Sequence, residues 1–177
     1  MEPVEINAGG YYLRQLRADE LMDDRPAMLR AFADPEMRRF VPDIVLATLA
    51  DADAYVALRA RQWEHGERCS WAVAEPTTGD LLGEVGLKNL DLGTHIAASA
   101  EAAVWVHPAA RGRGVAATAL GAALRFGFGA LGLHVVRYRH HRDNEVSAAV
   151  ARRCGFRYRG PVGPDDEEWT RGPEPAS

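Results

Sequence analysis

The residues that could do chemistry are concentrated between positions 101 and 156. A strand-like segment carrying Val104, Trp105 and Val106 leads through His107-Pro108 to the loop Arg111-Gly112-Arg113-Gly114-Val115-Ala116, and that loop opens directly into a long apolar helix. Glycines expose backbone N–H groups, and the first turn of the following helix adds unpaired N–H groups at its positive dipole end. The pattern therefore describes an anion site. Two nucleotide-binding loops fit it poorly. A Walker A loop requires Lys-Ser or Lys-Thr after its last glycine, where this chain continues Val115-Ala116. A dinucleotide fingerprint requires an acidic residue about 20 positions on, within a βαβ unit. Ala117 is tolerable as the third small residue, but Arg137 stands near the acidic position and an antiparallel pattern precedes the loop. His140 and His141 are adjacent on a strand-like segment and point to opposite faces, so they do not chelate together and are expected at surface or substrate-rim positions. Cys69 and Cys154 are isolated, without metal-ligand spacing, and read as reduced core thiols; no metal site is expected.

The elements that must position these residues follow from periodicity and turn chemistry. Residues 1–9 read as a loose lead-in and 11–17 as a strand with Tyr11, Leu13 and Gln15 on one face. Asp19 can cap a helix bearing Leu21, Met28, Leu29 and Phe32, which Asp34-Pro35 ends or kinks. Thr48-x-x-Asp51 is a capping box for a second helix with Leu49, Ala52, Val56 and Trp63 inward and Gly66 as its stop. Three antiparallel strands follow over 69–75, 81–88 and 100–106, with turns at 76–80 and 91–94. Gly83 and Gly86 inside the second strand mark a bulge or the close approach of another backbone. After the loop come a helix with Ala116, Leu120, Leu124, Phe128 and Leu131 inward, a strand over 133–139, a helix over 144–154 with Val146, Val150 and Cys154 inward, and a strand over 156–159. The acidic run 165–168 reads as a solvated turn, any last strand is short, and 172–177 is frayed. The order β-α-α-β-β-β-α-β-α-β describes a mixed α/β layer structure in one domain, core about 11–170.

Composition bounds the function. With 177 residues, 47% hydrophobic and 26% charged, the chain is of the soluble globular class. A formal net charge of −4 argues against general affinity for nucleic acid or anionic membrane, so the basic groups that matter act locally. The start, Met1-Glu-Pro-Val-Glu, lacks the basic and apolar regions of a signal peptide, and no run of about 18 apolar residues could span a membrane. A cytoplasmic location is the expectation.

Several motifs recur together in a known order. Arg111-x-x-Gly114-x-Ala116 after a strand and His107-Pro108 resembles the acetyl-CoA pyrophosphate loop of the GNAT acetyltransferases. The segments 100–106, Leu131-Gly-Leu-His134, Asn144-x-x-Ser147 and Cys154-Gly-Phe156 resemble its RimJ/RimL-like branch, as do Asp34-Pro35-Glu36 and 81–87. The resemblance covers residues 11–160 and implies a GNAT fold and an acetyl-CoA-dependent N-acetyltransferase acting on a primary amine. A protein or peptide N-terminus is one acceptor; an amino sugar, polyamine or amino acid is the alternative, and a homodimer is compatible with it.

The same resemblance implies a division of labour. Backbone amides of Arg111, Gly112, Arg113, Gly114, Val115 and Ala116 would hold the pyrophosphate, with Arg111 or Arg113 pairing with its charge. Val104, Trp105 and Val106 would splay from the neighbouring strand and leave backbone groups for the pantetheine arm, one amide near Val106 polarising the thioester carbonyl. Asn144 would bond the pantetheine amides. Glu101 would be the base, directly or through water, and Ser147 the acid for the departing thiolate. Each has a structural alternative: Glu101 as a strand carboxylate paired with a neighbouring Arg, Asn144 as a helix cap, Ser147 as a hydroxyl bonding back to a carbonyl. The chain also departs from family habit. Ala151 stands where many members carry a tyrosine seven residues after the asparagine, and Thr118 stands where this branch often has a glutamate. Both departures keep open a CoA-binding module without turnover.

Overall fold

The computed structural model describes residues 1–93 and 98–174. The order is β1 (Ile6–Asn7), β2 (Tyr12–Arg14), α1 (Arg25–Phe32), α2 (Pro35–Phe40), α3 (Leu49–Glu64), β3 (Cys69–Ala74), β4 (Leu81–Asp91), β5 (Ser99–Val106), α4 (Val115–Gly129), β6 (Val135–His141), α5 (Glu145–Arg153), β7 (Arg157–Val162) and β8 (Asp166–Arg171), with one 3₁₀ turn at Pro108–Ala110. The strands form a single sheet in the order β1-β2-β3-β4-β5-β6-β8-β7, antiparallel throughout except for the parallel pair β5–β6.

The two sheet faces carry different cores. On one, Trp71, Val73, Val85, Leu87, Ala100 and Ala102 pack against Ala119, Leu120, Ala123 and Leu124 of α4 and Ala148 and Ala151 of α5. On the other, Ala72, Leu81 and Trp105 pack under Met28, Phe32, Met37, Ala52 and Tyr55 of α1–α3. Because β-strand side chains alternate, Glu101, Ala103 and Trp105 face the α1–α3 layer, while Val104 and Val106 face α4 and α5. The close approach expected at the strand glycines is realised. A Cβ on Gly83 would collide with the Trp105 carbonyl of β5, and one on Gly86 would lie 2.9 Å from the Arg68 guanidinium.

Several sequence expectations are corrected. The first helix starts at Arg25, not near Asp19; Asp19 instead accepts from the Leu21 and Met22 amides in a turn, and Leu21 is 87% exposed. The N-cap position belongs to Asp24, but Arg14 grips both its carboxylate oxygens at 2.8 Å, so no side-chain cap forms. Asp34 does end α1 and, by accepting from the Met37 amide at 3.0 Å, starts a short extra helix, α2. The Thr48–Asp51 capping box forms as expected, yet Leu49 is exposed, and Tyr55 and Arg59 complete the inner face with Ala52 and Trp63. On α4, Ala116 and Phe128 are half-buried and the stripe is centred on Ala119 and Ala123; Leu131, also half-buried, lies beyond the helix end at Gly129. On α5, Val146 is 74% exposed and Ala148 and Ala151 are inward instead.

The chain ends also differ. Residues 1–9 are tied down by the β1–β2 pairing and by the Trp71 indole N–H donating to the Val4 carbonyl at 2.6 Å. The acidic run is a strand: β8 inserts between β6 and β7, with Glu168 opposite Arg139 and bonded to its guanidinium at 2.7 Å. Trp169 of β8 is buried and donates its indole N–H to His140 Nε2 at 2.9 Å, while His140 Nδ1 bonds the His141 carbonyl at 2.8 Å. That arrangement places the proton on Nδ1 and makes His140 a core residue, not a rim residue. His141 is half-buried beside Phe40. Of the expected turn at 91–94, Asp91 belongs to β4, while position 94 lies outside the described residues, as do 175–177 of the expected tail.

Candidate active site

The site is built where β5 and β6 part. Their register runs from Ser99 opposite Val135 to Ala102 opposite Tyr138 and then stops, although β5 continues to Val106. On its other side β5 stays paired with β4 as far as Gly83 opposite Val106. The His107 amide donates to the Leu82 carbonyl at 2.8 Å, so alternation turns the N–H and C=O groups of Val104 and Val106 away from β4, into the opening beside β6. This is the splayed edge that Val104, Trp105 and Val106 were expected to supply.

At the mouth of that opening stands the glycine loop. Gly112 and Gly114 take positive φ, +76° and +73°, and Gly114 is the N-cap of α4. The amides of residues 112–117 donate to no carbonyl among the described residues. Left-handed glycines alternating with Arg113 and Val115 turn consecutive N–H groups toward one concavity, and the α4 dipole adds to their field. Nothing lies within 4 Å of a Cβ built on either glycine, so the requirement for glycine there is one of backbone conformation, not space.

The two loop arginines part company. Arg111 is bound to Asp34 at 2.8 Å and Glu36 at 2.9 Å, at the start of α2, and the guanidinium with the Met37 amide holds the Asp34 carboxyl below its ordinary range. Arg113 is exposed and has no ion pair among the described residues; its carbonyl accepts from the Tyr11 hydroxyl at 2.7 Å. An incoming phosphate must therefore compete with two carboxylates for Arg111. Glu36→Gln removes one competitor and one repelling charge. We expect it to tighten acetyl-CoA binding about 2–5-fold, the scale of one exposed ion pair, and isothermal titration at low and high salt reads the change.

Two cavities flank the splayed strand. One, of about 130 Å³, lies between α2, α5 and β5; Arg111, Ala116, Tyr138, Asn144 and Ser147 line it together with Val104 and Val106. Asn144 Oδ1 accepts from the Ser147 amide at 3.0 Å, capping α5, and this fixes the side-chain amide so that its NH₂ remains as the donor. Ser147 is half-buried and lines this cavity beside the Tyr138 phenol. Burial pushes that phenol up to about 12, the nearby Ser147 hydroxyl pulling the other way, so it is protonated at neutral pH. Tyr138 is a site residue that sequence reasoning missed. Its signal was its register: it is the last β6 residue paired with β5.

The second cavity, of about 460 Å³, lies under the α2–α3 connection. Asp43, Leu58, Arg68, Glu84, Lys88 and Ala103 are among its lining residues, and it shares Val41, Val104 and Trp105 with the first. Glu84 is fully buried there. Its carboxylate accepts from Tyr55, from the Trp105 indole at 2.9 Å and from Arg59 Nε at 3.0 Å. Burial alone would raise its pKa, but Arg68 and Arg59 outweigh that, and with Tyr55 and Trp105 they leave it below the ordinary glutamate value. A carboxylate so fully bonded is a structural anion, not a base. Glu101 points to the same side of the sheet; its Oε1 pairs with Lys88 at 2.9 Å and its Oε2 stands 3.4 Å from the Asn89 amide. The ion pair weighed as its structural alternative is thus present, with lysine in place of arginine. Among the described residues no group of three or more His, Cys, Asp or Glu side chains is placed to hold a metal ion, and no helix is long and apolar enough to cross a membrane.

The combination of splayed strand, glycine loop and α4 has a family-level counterpart. Residues 12–157 match the family model described as the acetyltransferase (GNAT) domain. The chain is a GNAT acetyltransferase. As such it is an N-acetyltransferase with acetyl-CoA as co-substrate, and the loop amides, the open β5 edge and the Asn144 NH₂ suit a pyrophosphate followed by an amide-bearing arm. Solved GNAT structures share the whole fold. The ribosomal-protein-S5-alanine acetyltransferase of Vibrio fischeri superposes with a TM-score of 0.80 at 15% identity, covering 97% of each chain. RimJ of Mycobacterium smegmatis, in complex with CoA-disulfide, gives 0.73 at 20% identity over 98% of this chain and 87% of its own. Spermidine N-acetyltransferase of Vibrio cholerae, with CoA and spermine, gives 0.73 at 17% identity over 92% and 95%.

Proposed function

We propose that this GNAT acetyltransferase acetylates the primary amine of a protein or peptide N-terminus by direct attack on the acetyl-CoA thioester. The observation that carries this reading is that the two cavities meet at the splayed end of β5, sharing Val104 and Trp105. A thioester held along that edge from the α5 side is open to an amine arriving from the α3 side. The α2–α3 connection favours an extended acceptor: Val45 is 76% exposed and Leu58 38%, an apolar rim across which a peptide can lie.

Acetyl-CoA supplies the activated acyl group, and the chain's own residues do the rest. The amides of residues 112–117 and Arg113 bind phosphate oxygens, and the Asn144 NH₂ donates to a pantetheine carbonyl. A Val104 or Val106 N–H, aimed into the opening, stabilises charge developing on the thioester oxygen. Glu101 receives the ammonium proton, directly or through water, after exchanging its contact with Lys88. Ser147, with Tyr138 behind it, returns a proton to the departing sulfur. Ser147 and Tyr138 stand in place of the helix tyrosine that Ala151 replaces.

Acceptor-dependent thiol release, measured with N-terminal peptides, amino acids, amino sugars and polyamines, tests the reading. Peptides should be turned over at the highest kcat/KM. Preferential turnover of a small amine would move the function to small-molecule acetylation. Acetyl-CoA binding without release on any acceptor would make the chain a CoA-binding module instead.

A further inference from the structure

The floor of the larger cavity holds a cation with hydrogen-bond donors to spare. Arg68 leaves the turn after α3 and lays its guanidinium over β4 in the space left by Gly86, where a Cβ would stand 2.9 Å from Nη2 and 3.1 Å from Nε. Nε donates to Ser70 Oγ at 2.6 Å. Nη2 stands 3.6 Å from Glu84 Oε1, outside hydrogen-bond range, because the Glu84 oxygens are already bonded to Tyr55, Trp105 and Arg59. Nη1 and Nη2 therefore make no hydrogen bond among the described residues, although the side chain is only 10% exposed. Neither is sealed from the cavity, since Arg14 Nε is the one buried, unpartnered side-chain nitrogen among the described residues. Arg59 differs: it donates to Glu84, to Gln62 and to Tyr55. Burial pulls Arg68 below its ordinary pKa, the mark of a cation whose partners do not fully replace water.

The charges around it narrow what can sit there. Arg59, Arg68 and Lys88 face Glu84 and Glu101, and both carboxylates are held by cations of the protein. Additional cationic groups of an acceptor would find no unpaired acid among these floor residues; the carboxylate of Asp43 lies at the exposed rim, on the α2–α3 connection. An acceptor oxygen would find two guanidinium nitrogens that bond no other group among the described residues, on a side chain only 10% exposed, where such bonds discriminate strongly.

We propose that Arg68 specifies the acceptor: its Nη donors take an oxygen carried close to the amine, a carboxylate or an amide carbonyl, so that the enzyme selects α-amino acyl compounds over polyamines. This rests on the acetyltransferase reading of the cavity and adds what the acceptor must carry besides its amine.

The test is acceptor-dependent CoA release with a peptide amide, the free amino acid, an aminoalkane of matched size lacking the carbonyl, and spermidine. For the unmodified enzyme, kcat/KM should favour the carbonyl-bearing acceptors by roughly 10–100-fold, the scale of a hydrogen bond to a charged group. A preference for the free acid would identify a carboxylate as the oxygen and a preference for the peptide amide a carbonyl; either supports the proposal. Arg68→Gln should collapse that selectivity toward unity through KM, and Arg68→Lys should restore part of it. Acetyl-CoA titration and a thermal melt establish that each variant is folded; should neither fold, the unmodified enzyme's selectivity decides. Equal turnover of the aminoalkane or spermidine would overturn the role of Arg68 while leaving the acetyltransferase reading intact. No release on any acceptor, with acetyl-CoA bound, would overturn both. Unchanged selectivity in a folded Arg68→Gln variant would reduce Arg68 to a structural counter-ion.

Discussion

Glu84→Gln is expected to lower the free energy of unfolding by about 3–5 kcal/mol, the range found when one member of a buried ionic cluster is removed. The side chain keeps its shape, but Arg59 and Arg68 lose the anion that brings them into the interior, and the Tyr55 hydroxyl and Trp105 indole lose a charged acceptor. Tyr55→Phe removes one bond and leaves the charges paired, so its loss should be about 1–2 kcal/mol. Urea unfolding of the two variants measures the difference. The pH dependence carries the same sign. Glu84 has a folded-state pKa below its unfolded value, so its contribution is complete above the ordinary glutamate pKa of about 4.3. It is lost as pH falls through the depressed folded value. The Gln variant should lack that part of the acid destabilisation. Equal stability of Glu84→Gln and the unmodified protein would mean that the cluster contributes nothing to the fold.

The second large effect is catalytic. Glu101→Gln should lower kcat by roughly 10²–10⁴-fold, the contribution expected of a positioned general base, with acetyl-CoA affinity near that of the unmodified enzyme. The Lys88 contact supplies the control. Were Glu101 only the partner of Lys88, Lys88→Met and Glu101→Gln would act alike, each shifting stability by about 1 kcal/mol or less. Steady-state kinetics with equilibrium titration of acetyl-CoA separates the two. A matched loss of affinity and activity in Glu101→Gln would assign it to the scaffold, and the proton acceptor would have to be sought among other residues.

Local features were read from the sequence well, because their causes lie within a few residues. The Thr48–Asp51 capping box, the αL stop at Gly66, the break at Asp34-Pro35 and the loop entering α4 each depend on a side chain and a backbone three or four positions apart. What failed were inferences needing a distant partner. Asp19 was the expected cap, but the N-cap position belongs to Asp24, whose carboxylate is taken by Arg14 from β2. Val146 has the right spacing for an inward position on α5 yet lies exposed beside the smaller cavity, because Ala148 and Ala151 are the residues that meet α4 and the sheet. The run 165–168 looks solvated until Arg139 is brought opposite Glu168, and no spacing rule within the run contains that arginine.

The site divides the same way. The glycine loop was legible because glycines, a following helix and their order are one-dimensional facts, and the phosphate contacts proposed for it need backbone amides and no particular side chain. The family resemblance added Asn144, Ser147 and Glu101 by position. Sequence alone determined the family and its co-substrate, acetyl-CoA. Tertiary structure decided the rest. It bound Arg111 to Asp34 and Glu36, ended the β5–β6 ladder at Ala102 and Tyr138, and set Tyr138 against Ser147. It also buried Glu84, an ordinary-looking strand glutamate, among Tyr55, Arg59, Arg68 and Trp105, from three separate parts of the chain. The physical reason is common to all of these. Which carboxylate is a base and which a structural anion, and which arginine is free to meet a ligand, depends on the neighbours that satisfy it, and the sheet and helix packing brings those neighbours from tens of residues away.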